Sequence, residues 1–429
     1  MDVTLTSYAG ALEYLFARVT GGWKLGLDTT RALARAMGDP HERFPSFHVA
    51  GTNGKGSAVA TLDALLRARG LRVGRYTSPH LVDFRERICV NGAPMSEDAM
   101  VESIARWTPE VERVGATFFE ATTCIAFEHF AASQVDVAVI EVGLGGRLDS
   151  TNIITPLVAG ITSIGLDHMQ YLGATTELIA AEKAGIFKGG VPAVIGERDP
   201  RIRALLARLA REAGASPVRV LAEEAPLEEV TVRGDGTSFT LVDGARRRRL
   251  STPLIGVHQA ANAATAIAML EAAGSPWSAA ASDAERALRS VRLAGRFQPW
   301  GTFLFDVAHN PDGVGVLCDS LAAVRPPRPI VCLLSVLRDK DWPAMMRALA
   351  PHVDRFVLTL PPSVPAERAW SIEEPLALAA SCGWAAEGEP DFDRALARAR
   401  EGAATTLVTG SFHTVGDAMS RLPGSLTAG

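Results

Sequence analysis

Residues 47–57 read FHVAGTNGKGS: an apolar, β-branched lead-in, a glycine-rich turn that carries a lysine, and a serine opening an alanine-rich helical run. Strand, loop, helix is the order that builds a phosphate site. Glycines let the backbone turn tightly so that its N–H groups face an anion, and the helix N-terminus adds a favourable dipole. Lys55 is placed to neutralise β/γ-phosphate charge, and the hydroxyl of Ser57 to ligate Mg²⁺. The general phosphate-loop pattern puts Ser or Thr directly after the lysine, whereas Gly56 intervenes here. A glycine-rich turn with no ligand is the competing reading, but a lysine inside such a turn has no packing reason to be there. A nucleoside triphosphate is the expected ligand.

Outward from this loop, strand-like apolar runs alternate with helical stretches. They fall at 46–50, 72–77, 135–142 (VDVAVIEV), 156–164 and 191–195. Runs apolar on both faces and joined by helices predict a mostly parallel sheet covered on both sides. Residues 229–252 then alternate polar and apolar around Gly-Asp-Gly and Asp-Gly turns, which predicts small antiparallel hairpins. Arg246, Arg247, Arg248 and Arg249 in that stretch read as a solvated strand edge rather than a nucleic-acid patch. An alanine-rich helix is expected over 258–273, and a second α/β cycle begins near Gly295, with strands at 303–307, 330–335, 356–360 and 406–410. The fold class is therefore α/β: an N-terminal P-loop ATPase-type parallel-sheet domain with small antiparallel hairpins (1–294), then a C-terminal Rossmann-like α/β domain (295–429).

Composition bounds the function. The 429 residues are 47% hydrophobic and 21% charged, enough for large cores in two domains. A net charge of −5 gives no general attraction to nucleic acid. No basic-then-apolar leader opens the chain and no run is long enough to span a bilayer, so a cytoplasmic protein without membrane partners is expected. The five cysteines are scattered without CxxC pairing, which speaks against a disulfide framework or a cysteine-built zinc site. A monomer is expected.

Polar residues recur at strand ends, where open parallel sheets bind ligands. Glu141 ends the VDVAVIEV strand, and a carboxylate there is costly unless it meets a cation, through metal ligation or a structural ion pair. Asp167 and His168 follow the strand over 158–164, His168 reading equally as a metal ligand or a satisfied structural histidine. Lys183 lies in AAEKAGIFK, where most lysines would be solvated. Asp306, His309 and Asn310 follow apolar residues in FLFDVAHNP. Two domains with polar strand ends predict a cleft that closes on substrate.

The ordered set of motifs is more specific. GTNGKGS (51–57), TSPHL (77–81), ERICVNG (86–92), EVGLGGRLDSTN (141–152) and SIGLDHMQYLG (163–173) are followed by EKAGIFK (182–188), HQAANAATA (258–266), GRFQ (295–298), DVAHNP (306–311), DKD (339–341) and GSFHTV (410–415). From about residue 20 to the end the chain resembles the folylpolyglutamate synthase family, including its bifunctional members with dihydrofolate synthase activity, within the Mur ligase superfamily.

That resemblance implies roles. Asn53, Gly54, Lys55 and Gly56 would bind ATP phosphates, with Asn262, Arg296 and Asp306 contacting ATP across the cleft. Ser57 and Glu141 would hold one Mg²⁺, and Glu141, His168 and Lys183 a second, with Lys183 carboxylated by CO₂ to a carbamate. A neutral amine adds CO₂ to give an anionic oxygen ligand, which removes a positive charge from beside a metal. The acceptor, dihydropteroate or a reduced folate, would meet Gly22, Trp23, Lys24, Leu25, Thr117, Phe118, Phe119, Glu120, Leu148, Asp149 and Ser150. Phe118 and Phe119 suit stacking on a flat heterocycle and equally suit a core, while Asp149 or Glu120 would accept hydrogen bonds from the ring. Ser78, Arg87 and His309 match positions tied to catalysis or substrate handling, Arg87 on the acceptor side. Bifunctional relatives can carry alanine where Ser150 stands, and its small hydroxyl is expected to be tolerated.

The reaction implied is amide formation: an acceptor carboxylate takes the γ-phosphate of ATP, and the amine of L-glutamate displaces phosphate from the acyl phosphate. A muramyl-peptide ligase would need a further domain before the phosphate loop, where only about fifty residues stand. A motor-type NTPase has no use for DVAHNP and GSFHTV, and the intact Lys, Ser and Glu set argues against a nucleotide-binding protein without turnover.

Overall fold

The computed structural model describes residues 6–19, 26–422 and 424. The large sheet has eight strands in the order Ala93–Pro94, Ile88–Val90, Val73–Tyr76, Val137–Glu141, Ser46–Ala50, Val158–Ile161, Ala193–Ile195, Val218–Val220. The six from Val73–Tyr76 onward run parallel, and the first two close one edge in antiparallel register. Ser46–Ala50 and Val137–Glu141 are buried at every position, the outcome expected of strands covered on both faces. Phe47, Val49, Val137 and Val139 pack beneath the helices Lys55–Arg67 and Val257–Ala272. Ala138 and Ile140 face Phe118–Ala132 on the other side, and Ala50, Ala159 and Ile161 pack with the helices Thr176–Ala184 and Pro200–Glu212.

The stretch expected to form hairpins is one three-stranded antiparallel sheet, Arg246–Thr252, Gly236–Asp243 and Leu227–Arg233. Arg246–Thr252 lies at its edge, with Arg246, Arg247 and Arg249 exposed. Arg248 departs from the solvated reading: it is half-buried, 2.6 Å from Glu271, and donates to the carbonyl of Ala281 at 3.2 Å.

A six-stranded sheet begins at Gln298, ordered Gln298–Trp300, Phe303–Phe305, Thr405–Thr409, Ile330–Leu334, Arg355–Leu358, Ala386–Gly388. All but the first are parallel. Helices Pro311–Val324 and Trp342–Leu349 pack one face, and Phe392–Arg400 and Phe412–Ser420 the other. The C-terminal ends of both parallel sheets look into one cleft. Among the described residues no helix is long and apolar enough to cross a membrane.

Candidate active site

The phosphate loop is tied to its neighbours by its own backbone. Thr52 N–H donates to the Ser163 carbonyl at 2.6 Å, and the hydroxyls of Thr162 (2.7 Å) and Ser163 (3.1 Å) donate to the carbonyl of Asn53. Gly54 has φ +86°, and a Cβ there would stand 2.4 Å from Asn262 Oδ1, so only glycine lets the loop approach the alanine-rich helix. The helix starts at Lys55, two residues before the serine expected to open it, because Gly54 is its N-cap. Lys55 Nζ arcs back to donate to the carbonyls of Gly51 (3.0 Å) and Thr52 (3.1 Å), which centres its charge over the loop amides. Ser57 is buried, and among the described residues its hydroxyl has no hydrogen-bond partner.

Glu141 and Lys183 are two buried charges of the cavity that no ion pair balances among the described residues. Glu141 is 5% exposed and makes no ion pair within 4 Å among the described residues. Burial pushes its carboxyl up, against the pull of Lys55, Arg296, the Ser78 N–H and Arg75. Lys183, 4% exposed, has no acceptor among the described residues; burial, with Lys55 adding to it, takes its amine down to about 7. His168 adopts φ +51° at the start of a short helix and is pushed down to about 4, chiefly by burial, which leaves a neutral imidazole with a free lone pair. No three His, Cys, Asp or Glu side chains converge on a metal-sized space among the described residues. Ser57, Glu141 and His168 line the same cavity and offer the oxygen and nitrogen donors a divalent cation takes, leaving positions that phosphate oxygens would complete.

Asp167 joins the two sheets' strand ends. Asn310 Nδ2 donates to its Oδ2 at 3.0 Å, His309 Nε2 lies 3.3 Å from the same oxygen, and Lys340 pairs with Oδ1. Burial alone would raise this carboxyl, but the His309 hydrogen bond and the Lys340 ammonium hold it far below the usual carboxylate range. Asn53 and Asn310 exchange amide hydrogen bonds of 3.2 and 3.3 Å across the same gap. His309 Nδ1 faces the Val307 carbonyl at 2.9 Å, which fixes the ring's direction. Arg296 lies 5.1 Å over the Phe412 ring, and Asp306 accepts from the N–H groups of Phe297 and Ala308. Sequence reasoning gave Lys340 no role; the DKD motif at 339–341 was its signal.

Arg87 is 7% exposed and has no carboxylate partner among the described residues. Its Nε donates to His80 Nδ1 at 2.8 Å, and its guanidinium lies 5.5 Å from both the Phe84 and Phe118 rings. Burial takes His80 down to about 3, so its nitrogen stays an acceptor. Phe16 stacks on Phe118 at 5.3 Å. Ser78, Arg87, Phe118 and Phe119 line a cavity of about 1940 Å³ that also takes in Asn53, Gly54, Lys55, Gly56, Ser57, Glu141, His168, Lys183, Asn262, Arg296, Asp306 and His309.

Five expected acceptor residues do not line it: Thr117, Glu120, Leu148, Asp149 and Ser150. Thr117 and Glu120 form a capping box, with Glu120 Oε2 accepting from Thr117 N–H at 2.8 Å and Thr117 Oγ1 accepting from Glu120 N–H. Asp149 accepts from Leu144 N–H at 2.8 Å and Thr151 N–H at 3.0 Å, and Ser150 begins the short helix it caps. One carboxylate oxygen of Glu120 and both of Asp149 thus already accept backbone hydrogen bonds. Leu148 is exposed outside the cavity. Gly22, Trp23, Lys24 and Leu25 lie outside the described residues.

Comparison with known proteins agrees with this geometry. Residues 49–270 match the Mur ligase middle domain, and residues 289–412 the Mur ligase, glutamate ligase domain. The dihydrofolate synthase/folylpolyglutamate synthase of Bacillus subtilis is 38% identical over 360 residues, covering 80% of this chain and 83% of the relative. That of Escherichia coli is 36% identical over 422 residues, 97% and 94% of the two chains. The Mycobacterium tuberculosis folylpolyglutamate synthase complexed with ADP superposes with TM-score 0.88 at 33% identity, over 98% and 99% of the chains. The E. coli enzyme in complex with DHPP and ADP gives 0.86 at 34% identity over 97% and 98%. A bifunctional folylpolyglutamate synthase/dihydrofolate synthase with Mn, AMPPNP and L-glutamate bound gives 0.83 at 35% identity over 98% and 99%. The chain belongs to the dihydrofolate synthase/folylpolyglutamate synthase group of Mur ligases, and it is an ATP-dependent ligase of folate metabolism that joins L-glutamate to a folate-type carboxylate.

Proposed function

We propose that this chain performs both ligations of its family, forming dihydrofolate from dihydropteroate and extending reduced folates. The observation that carries the chemistry is the pair of uncompensated buried charges, Glu141 and Lys183, lining one cavity with the phosphate loop. Both are stable only if something anionic and something cationic enter together, as a nucleotide with its divalent ion does.

Asn53, Gly54, Lys55 and Gly56 cradle the β/γ-phosphates, Arg296 meets them from the facing domain, and Asn262 and Asp306 orient the nucleotide. Ser57, Glu141 and His168, with Lys183 as its carbamate, would hold two divalent ions, whose contribution is to neutralise phosphate charge. Arg87, steered by His80, would direct its Nη groups to the acceptor's carboxylate as a fork. Lys55 and Arg296 offset the repulsion as that carboxylate oxygen bonds to the γ-phosphorus and the bond to ADP breaks. The glutamate amine then attacks the acyl carbon; phosphate leaves, the amide forms, and the ammonium proton is lost. His309 and Ser78 are placed to handle the reacting groups. Water must be kept from the acyl phosphate, and the Asp167 contacts with His309, Asn310 and Lys340 favour a closed cleft. The units 1–294 and 295–429 would hinge at residues 293–295, where Gly295 has φ +69°.

Acceptance of dihydropteroate rests on Phe16, Phe118 and Phe119 as an aromatic wall and on the resemblance to the DHPP-bound enzyme. Product analysis with ATP, Mg²⁺ and radiolabelled glutamate checks it, with dihydropteroate and tetrahydrofolate as acceptors. Labelled dihydrofolate and labelled folate polyglutamates are both expected; label in the latter alone reduces the enzyme to polyglutamylation.

A further inference from the structure

His48 sits at the centre of the strand Ser46–Ala50, fully buried, between Ile140 and Ala159 of the flanking strands. An apolar side chain would suit that position, and a buried imidazole is costly without partners. Its Nε2 lies 2.9 Å from Thr151 Oγ1, while Nδ1 has no hydrogen-bond partner among the described residues. Thr151 has one hydroxyl proton, which it donates to Asp149 Oδ1. Nε2 is therefore the donor, and the chain of donation runs His48 to Thr151 to Asp149. The carboxylate also accepts from the N–H groups of Thr151, Leu144 and Gly143.

This carboxylate closes the glycine-rich loop of residues 143–149 on itself. The loop is wedged between two parts of the site. A Cβ on Gly143 would fall 2.2 Å from Phe119 Cζ, and one on Gly146 would fall 2.8 Å from the carbonyl of Lys183. Arg147 N–H donates to Glu182 at 2.9 Å. We propose that His48 is a positioning residue: acting through Thr151 and Asp149, it holds the 143–149 loop in the one conformation that sets Phe119 and the Lys183 turn for the acceptor.

The proposal rests on the acceptor lying against Phe119, as proposed above, so its test has a readout independent of catalysis. His48→Leu and Thr151→Val remove the donation, whereas His48→Gln keeps a donor near the Nε2 position and Thr151→Ser keeps the hydroxyl. In the full-length enzyme, amide hydrogen exchange across 143–149 is expected to quicken in the first two variants and return towards the parent in the second two. The KM for dihydropteroate should rise about tenfold in the first two while the KM for ATP stays within about twofold. Unchanged exchange in His48→Leu and Thr151→Val overturns the relay. A matched rise in both KM values, or no recovery in the conservative variants, overturns positioning in favour of general destabilisation. A parent enzyme that ligates nothing fails the proposed function instead, and the exchange data still decide the relay.

Discussion

Lys55 and Lys183 share one cavity and meet opposite environments. Lys55 has two carbonyl acceptors, and Lys183 has none among the described residues. Lys55→Ala should leave thermal unfolding unchanged and cut turnover about 100-fold or more, the scale of losing one transition-state contact in a closed site; near-normal ligation would remove the loop lysine from the mechanism. Lys183, drawn down to about 7, is neutral above that pH and so free to add CO₂. Enzyme stripped of divalent ions in CO₂-free buffer should lose activity, most deeply below pH 7 where the amine is protonated, and bicarbonate should restore it. Lys183→Ala should be inactive and partly rescued by formate or acetate. Indifference to CO₂ on both sides of pH 7 would show that the bare amine suffices. Lys55 and Glu141 were legible in sequence because charge has no packing reason to sit in a glycine turn or at the end of an apolar strand. At Glu120 the sequence was only half legible: T-x-x-E is both a polar patch beside two phenylalanines and a capping box, and the capping use was the part not read.

At the scale of elements, the central strands announced themselves because burial on both faces demands continuous apolar runs, as in Val137–Glu141 and Ile330–Leu334. The edge strands Ala93–Pro94, Val218–Val220 and Ala386–Gly388 escaped notice, since two or three partly or fully exposed residues carry no readable period. The glycine-rich 143–149 loop was legible as a loop but not as a spacer between Phe119 and the helix Thr176–Ala184. Gly146→Ala tests that spacing: its Cβ would meet the main chain of Lys183, which cannot swing aside as a side chain does. A loss of about 1–3 kcal/mol in stability is expected from such a forced contact, read as a lower midpoint in denaturant. An unchanged midpoint would mean the loop has slack.

Over the whole molecule, polar groups at the strand ends of two α/β units foretold a shared cavity between them. The contact that bridges it could not be read, because Asp167 and Lys340 are 173 positions apart and nothing local links them. Lys340→Met with Asp167→Asn should loosen the closed state and admit water to the acyl phosphate. Phosphate released per glutamate incorporated should then exceed the parent's; an unchanged ratio would show that these contacts do not guard the intermediate. The central claim is that the acceptor's own carboxylate is phosphorylated in this cavity. Acceptor labelled with ¹⁸O in that carboxylate tests it most directly: one labelled oxygen should pass to inorganic phosphate for each glutamate joined, whereas inorganic phosphate free of the label would contradict the account.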